Sequence, residues 1–318
     1  MSGVIGAGTN DTLSVGERND TLSVAMKNET PNTALTALLC GAALCLAMTS
    51  AGCAKLQARD HLNQGVNAFK TGSYSTAADQ FRLAIDADPT FSVARLYLAT
   101  AYEQQYVPGT DTPENKKYWN AAMEEFQNVL KDDPNNGQNV LLATQSIASL
   151  YFHAGDAKGP DQADDMAKAE EWEKKVVALD PKNKEAYYTL GVIPWLEFLA
   201  PQRQARNTLG MALEDPHPLK ADTKKSTLKA DLKAKFWQPL TDGIEDEKKA
   251  LEIDPKYEDA MSYMSLLIRY RADLEDTQEA YLADVKQADD WMQKDLETKK
   301  ENAAKKAAAA EAGAAPPQ

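Results

Sequence analysis

The chain has 318 residues, 43% of them hydrophobic and 26% charged, enough for one large or two ordinary domains with a real core rather than a disordered polymer. Its formal charge of -13 and pI near 4.8 leave no basic field to hold phosphates, which argues against nucleic acid as a partner. Acidity of this size reports a solvated surface.

The first predicted element is an address. From Ala34 to Met48 the chain runs "ALTALLCGAALCLAM", fifteen residues without a charge, ending in the small residues "TSAG". A membrane span needs about 20 apolar residues, so this run matches the apolar core and cleavage region of a secretory signal instead. Its basic flank is thin, with Lys27 partly cancelled by Glu29. The sequence "NDTLSV" occurs at residues 10–15 and again at 19–24, a duplication more like translated upstream sequence than a folded element, which points to Met26 as the start. The stretch Ser50-Ala51-Gly52-Cys53 resembles the lipobox of bacterial lipoproteins, with Ser50 where Leu is usual. That resemblance implies that Cys53 is acylated and becomes the mature N-terminus, and Ala54 after it implies sorting to the outer membrane, facing the periplasm. Cys40 and Cys45 lie in the apolar run and would leave with it, so the mature chain holds one cysteine and no internal disulfide or Cys-type zinc site. An ordinary cleaved signal and an uncleaved anchor are the alternatives. Residues 1–52 are thus expected to be leader, 53–57 a lipid attachment and short linker, and 58–299 the folded domain.

Four junctions of one kind follow: "AIDADPTF", "VLKDDPNN", "VALDPKNK" and "LEIDPKYE", each placing Asp-Pro after an amphipathic run. Proline cannot continue a helix and pushes its predecessor out of helical geometry, so each junction stops one helix. Such periodic punctuation marks a helical repeat array. The first unit, Ala58 to Phe91, has 34 residues and resembles a tetratricopeptide repeat (TPR), with Gly65, Tyr74, Ala77, Phe81, Ala84 and Pro89 at the matching places. In register with the Asp-Pro stops, the first helices carry the small residues Gly65, Ala99, Ala148, Gly191 and Ser265, and the second helices carry Ala77, Ala122, Ala169, Gly243 and Ala288. The resemblance implies an all-α, TPR-like superhelix of about five antiparallel helix pairs.

The departures are specific. Glu173 and Glu247 stand where the second helix usually has an aromatic, Gln64 replaces an aliphatic, and the fifth unit lacks its closing proline. Successive prolines are 45, 47 and 74 residues apart instead of the family's 34, so loops or added helix turns are expected inside the units. The fourth unit holds the largest insertion, about 196–235, with Arg203, Arg206 and six lysines against five acids. A solvated face plus loop is the plain reading, and a docking surface for an acidic partner or lipid headgroups the sharper one. Pro194 is expected to interrupt the first helix of that unit near Trp195 and Phe198. The tail from 300 to 318 is a low-complexity Ala, Lys and Glu run, expected to prolong the last helix and fray.

Catalytic signatures are lacking. His61, His153 and His217 share no metal-ligand spacing, and there is no Gly-rich phosphate loop, zincin helix or nucleophile elbow. Neither metal nor cofactor is expected, and paired acids such as Asp132-Asp133 and Asp289-Asp290 read as surface. By analogy with the repeat family, a groove of first-helix residues would take the ligand: Arg59, Leu62, Val66 and Phe69; Leu96, Thr100 and Glu103; Gln145, Ser149 and Phe152; Tyr188, Val192 and Trp195; Ser262, Leu266 and Arg269. Leu62 and Val66 replace two residues of the family's carboxylate clamp, so a segment with apolar anchors is the expected ligand. The resulting expectation is a non-catalytic, membrane-anchored scaffold or assembly factor of the bacterial envelope that binds other proteins. The rivals are a solute- or glycan-binding lipoprotein, against which Trp119, Trp172, Trp195, Trp237 and Trp291 are widely spread, and a carboxylate-based enzyme.

Overall fold

The computed structural model describes residues 33–157, 162–224 and 226–313, with side chains from 52 to 308 within those ranges. The duplicated "NDTLSV", Met26 and the terminal Pro-Pro lie outside the described residues. Ten helices are described: α1 (Thr33–Lys70), α2 (Tyr74–Ala87), α3 (Ser92–Glu103), α4 (Pro113–Asp132), α5 (Gly137–Asp156), α6 (Gln162–Leu179), α7 (Lys184–Thr208), α8 (Leu228–Ile253), α9 (Glu258–Ala272) and α10 (Gln278–Gly313). No strand is present among the described residues, only an isolated bridge between Thr223 and Ser226. The chain divides into two compact units, Met1–Gly52 and Cys53–Gln318. In the second, five helix pairs follow one another: the later part of α1 with α2, then α3 with α4, α5 with α6, α7 with α8, and α9 with α10. The fold is all-α and TPR-like.

The Asp-Pro junctions explain the punctuation. Asp88 and Asp254 sit at φ -138° and -131°, the extended backbone that a following proline demands. The N–H of Asp88, Asp133, Asp180 and Asp254 still donates to the carbonyl four residues back, at 2.8–3.0 Å, closing the helix before it stops. Their carbonyls then accept from Phe91, Asn136, Asn183 and Tyr257 at 3.0–3.1 Å, forming a tight turn that delivers the chain to the next helix. Asn136 and Asn183 cap α5 and α7 by accepting from the N–H of Asn139 at 3.3 Å and of Ala186 at 2.9 Å.

All ten small residues are buried, and they decide how closely the pairs cross. A Cβ on Gly65 would overlap the Phe81 ring, and one on Gly243 would come within 2.9 Å of Pro194 Cγ and 3.2 Å of the Gly191 carbonyl. Among the described residues five apolar clusters thread the stack, and three of them are the largest. Phe81 joins Leu98 and Ala101 across α2 and α3, Phe126 joins Ile147 and Leu150 across α4 and α5, and Leu240, Leu251, Met261, Met264 and Leu267 fill α8 and α9.

Two expectations are corrected in the fourth unit. Pro194 does not interrupt its helix: α7 runs unbroken through Pro194 and Pro201, and Pro194 is buried against α8. Phe198 is fully buried, 5.0 Å from the Phe236 ring. The insertion consists of extra turns on α7 and α8 joined by residues 209–227. Arg206 is not part of a positive surface. It is 2% exposed, forks onto the buried carboxylate of Asp273, and donates Nη1 to the Ala212 and Asp215 carbonyls (3.1 and 3.3 Å) and Nη2 to His217 (3.3 Å). A cation the sequence placed outside is the post around which the loop is wound, because the guanidinium divides its N–H groups between the Asp273 carboxylate and the loop carbonyls of Ala212, Asp215 and His217. Lys229 likewise reaches the Glu275 carbonyl, with burial lowering its pKa.

Candidate functional site

The first helices α3, α5, α7 and α9 supply the site, and the register of the small residues fixes which side chains they can offer. Of the sequence-predicted lining, Arg59 is exposed, Val192 is buried, and the other fourteen residues are half-buried. Leu62, Val66 and Phe69 lean on the α2 core, Leu96 on the α4 core, and Phe152 on Met166 and Ile193. Thr100 turns its hydroxyl to the Leu96 carbonyl at 2.9 Å. Glu103, at the end of α3, has its carboxyl pushed up to about 7 by burial, partly offset by a hydrogen bond with Ser146 of α5. Ser262 and Arg269 point to α10: the Ser262 hydroxyl donates to Asp295 at 3.0 Å and Arg269 pairs with Asp289. Ser262 and Arg269 are thus engaged with α10.

Where α7 meets α9, the strip is aromatic. Ring centroids follow one another from Tyr257 to Tyr188 (5.5 Å), Tyr263 (5.4 Å), Trp195 (5.3 Å) and Tyr270 (6.0 Å), the later pairs edge-on. Such T-shaped pairs contribute about 0.5–1.5 kcal/mol each beyond area burial. Burial raises the pKa of the Tyr188, Tyr257 and Tyr263 hydroxyls, so all three stay neutral donors. The Trp195 Nε1–H is buried without a partner. Tyr257, Tyr263 and Tyr270 were missed from the sequence. The usable signal was their spacing: 263 and 270 are two helical turns apart, on the side of α9 that faces α7.

Beside Trp195 lies a cavity of about 540 Å³, lined by Met166, Leu196, Leu199, Pro201 and Phe236, with Asp156, Glu197 and Lys235 among its polar groups. Trp119 is taken up by Tyr106 and Tyr151, and Trp172, Trp237 and Trp291 each lie under a lysine.

The three carboxyls that burial pushes highest lie in different units. Burial pushes Glu173 of α6 to about 8 and Glu247 of α8 to about 10, while Glu103 belongs to α3. Glu247 is fully enclosed and neither of its oxygens has a hydrogen-bond partner, so no substrate reaches it. The acids of the cleft between α6, α7 and α8 include Glu170 and Asp246, which are held by Lys174 and Lys249 at 2.6 and 2.9 Å. Among the described residues no group of three or more His, Cys, Asp or Glu could hold a metal, and no helix is long and apolar enough to cross a membrane. Cys53 is free and exposed.

No family model and no curated protein matches the chain. Several solved structures do. One described as MamA protein shares 16% identity over 78% of this chain and 94% of its own, with a TM-score of 0.45. A MamA fragment from Desulfovibrio magneticus RS-1 shares 16% over 77% and 96%, with a TM-score of 0.47. YrrB, described as a TPR protein with an unusual peptide-binding site, shares 14% over 76% and 90%, with a TM-score of 0.40. Similarity this distant leaves function to be argued from this chain's own residues.

Proposed function

We propose that this chain is a protein-interaction scaffold or assembly factor of the bacterial cell envelope, anchored to a membrane through lipid on Cys53, that holds partner segments along its first helices. The observation that carries the reading is the aromatic strip from Tyr257 to Tyr270: half-buried rings with neutral phenol donors suit an extended or helical peptide with apolar anchors. Support for the anchor is the lipobox-like sequence before Cys53 and the exposure of that residue. Several acyl chains, at about 0.8 kcal/mol per buried methylene, would hold the protein far more firmly than one. The aromatic strip and the tether divide the work: one recognises, the other confines the search to a membrane surface.

The anchor is checked by metabolic labelling with a palmitate analogue. The wild type takes up label and fractionates with membranes, and Cys53→Ser does neither; an unlabelled, soluble wild type sinks this half of the reading. The groove is checked with photocrosslinking residues placed at Tyr188 and Tyr270 in intact envelopes. Discrete protein adducts are expected there and not from Lys248 on an exposed face, and equal yields at all three sites would count against a groove. A solute-binding reading is favoured by the cavity beside Trp195, which is large enough for a small ligand. Titration with oligosaccharides under Trp fluorescence distinguishes it: a saturable change lost in Trp195→Phe would replace the peptide by a solute.

A further inference from the structure

Lysines of this chain recur in one setting, over an aromatic ring and against a carboxylate. Lys184 Nζ lies 4.6 Å from the Tyr257 ring centroid and 2.6 Å from Asp254. Lys233 stands the same way between Trp237 and Asp276, at 4.7 and 2.7 Å, and Lys249 between Tyr187 and Asp246, at 5.2 and 2.9 Å. The ring face carries partial negative charge and the carboxylate a full one, so the ammonium is held from two sides.

On the aromatic strip between α7 and α9 this arrangement is complete at the Tyr257 end. Further along, rings and carboxylates stand together without the cation. Asp259 is four residues before Tyr263 on α9, and Glu185 three before Tyr188 on α7, spacings that set each acid beside its ring on one helix face. Asp156 and Glu197 line the cavity of about 540 Å³ beside Trp195, with Lys235, whose Nζ is 4.8 Å from the Phe236 centroid. After burial, Asp156 and Asp259 are among the groups that raise the Tyr263 hydroxyl, so both act on that ring. Among the described residues no cation lies over Tyr188, Tyr263 or Trp195, and the exposed Asp156 and Asp259 are in no ion pair or side-chain hydrogen bond.

We propose that the partner segment taken by the strip is basic, with arginine or lysine side chains over Tyr188 and Tyr263 against Asp259 and Asp156, and an apolar side chain entering the cavity beside Trp195. This rests on the reading of the strip as a groove for a partner protein and adds the sign of the charge that the groove selects. Lys184 with Tyr257 and Asp254 is the chain's own example of the contact each partner cation would make. An acidic segment would instead bring its carboxylates onto Asp156, Glu185 and Asp259, a like-charge juxtaposition that disfavours it. The formal charge of -13 speeds the approach of a basic segment, and the strip decides where it stops.

The probes are three fluorescent peptides that alternate Leu or Phe with Arg, with Gln or with Glu, titrated into the full chain in detergent and followed by anisotropy. Saturable binding of the Arg peptide is expected, at least tenfold tighter than that of the Gln peptide, with the Glu peptide weaker still. Asp156→Asn with Asp259→Asn should weaken the Arg peptide at least tenfold and leave the Gln peptide unchanged. Asp86→Asn with Glu124→Gln, on exposed faces of α2 and α4, should change neither. All four side chains are exposed, so both double variants should melt with the wild type. Equal weakening by the two pairs would mean that net charge rather than the strip draws the peptide, and the proposal falls. A Gln peptide that binds as tightly as the Arg peptide, with both lost in Tyr263→Ala, leaves the groove standing and overturns its preference for basic segments. If none of the three peptides binds saturably, the groove reading fails as well. Displacement by spermidine at equal charge makes the occupant a small polycation, and self-association abolished by the Asp156 and Asp259 changes makes it a second copy; either overturns the choice of a partner protein.

Discussion

At the scale of the residue, Glu247 shows what a repeat position tolerates and at what cost. It fills a place in which Phe81 and Phe126 pack, with both oxygens unpaired against the backbone of Gly191 and its neighbours. Burial drives its pKa up to about 10, with Asp246 and Asp259 adding to the shift, and burial drives Glu173 to about 8. A carboxyl whose folded pKa lies above its unfolded value of about 4.3 contributes stability that is fully present below that value and lost as pH rises toward the folded one. Thermal stability should therefore be highest near pH 4–5 and decline up to about pH 8 from Glu173 and to about pH 10 from Glu247, by at most about 1.4 kcal/mol per pH unit for each group. Glu247→Gln should flatten the decline, and Glu247→Met, of similar length, should raise stability at pH 8 by about 1–3 kcal/mol. Urea denaturation across that range checks both; a wild type most stable at alkaline pH would refute the assignment of a neutral acid. Gly243→Ala supplies a steric counterpart. Its Cβ meets a proline ring and a backbone carbonyl that cannot yield, for a loss of about 1–3 kcal/mol. Gly137→Ala, with nothing within 4 Å, should stay within about 0.5 kcal/mol of wild type in the same assay.

At the scale of the element, α7 and α8 outgrow their neighbours, and the overhang is kept in place by one buried ion pair. Arg206 and Asp273 join the end of α7, the loop 209–227 and the end of α9, and Gln202 adds its amide to the same carboxylate at 2.5 Å. Removing one partner strands the other in a dry site, so Asp273→Ala should cost about 3–5 kcal/mol in equilibrium unfolding. Charge counting reads Arg206 as one more basic residue on a positive segment, because nothing in the local sequence reveals that Asp273, 67 positions later, turns its carboxylate toward it. Pro194 teaches the same lesson in reverse. Its missing N–H was a sound reason to expect a break, but packing against Gly243 of α8 keeps the helix going.

At the scale of the whole molecule, the second unit is a row of pairs in which each helix meets mainly its sequence neighbours. Stability in such a row is a sum of local terms. Phe81→Ala, which empties the space between α1, α2 and α3, should cost about 3–5 kcal/mol and raise hydrogen exchange there while leaving α9 and α10 protected. Uniform loss of protection along the chain would contradict this view. The row also explains how much could be read in advance. Helix stops, small crossing residues and the order of five pairs are local in sequence, written by proline chemistry and by the absence of a side chain where backbones approach. The leader was legible in an uncharged apolar run, whereas the lipid tether and the groove as a binding site are implied by resemblance alone. What the sequence determined by itself was therefore the kind of fold, because each unit is made from residues within a few tens of positions of one another. Only the tertiary structure decided that Arg206 is an internal post and that Tyr263 and Tyr270 complete an aromatic strip with Tyr188 and Trp195, because each depends on which distant helix lies against the side chain.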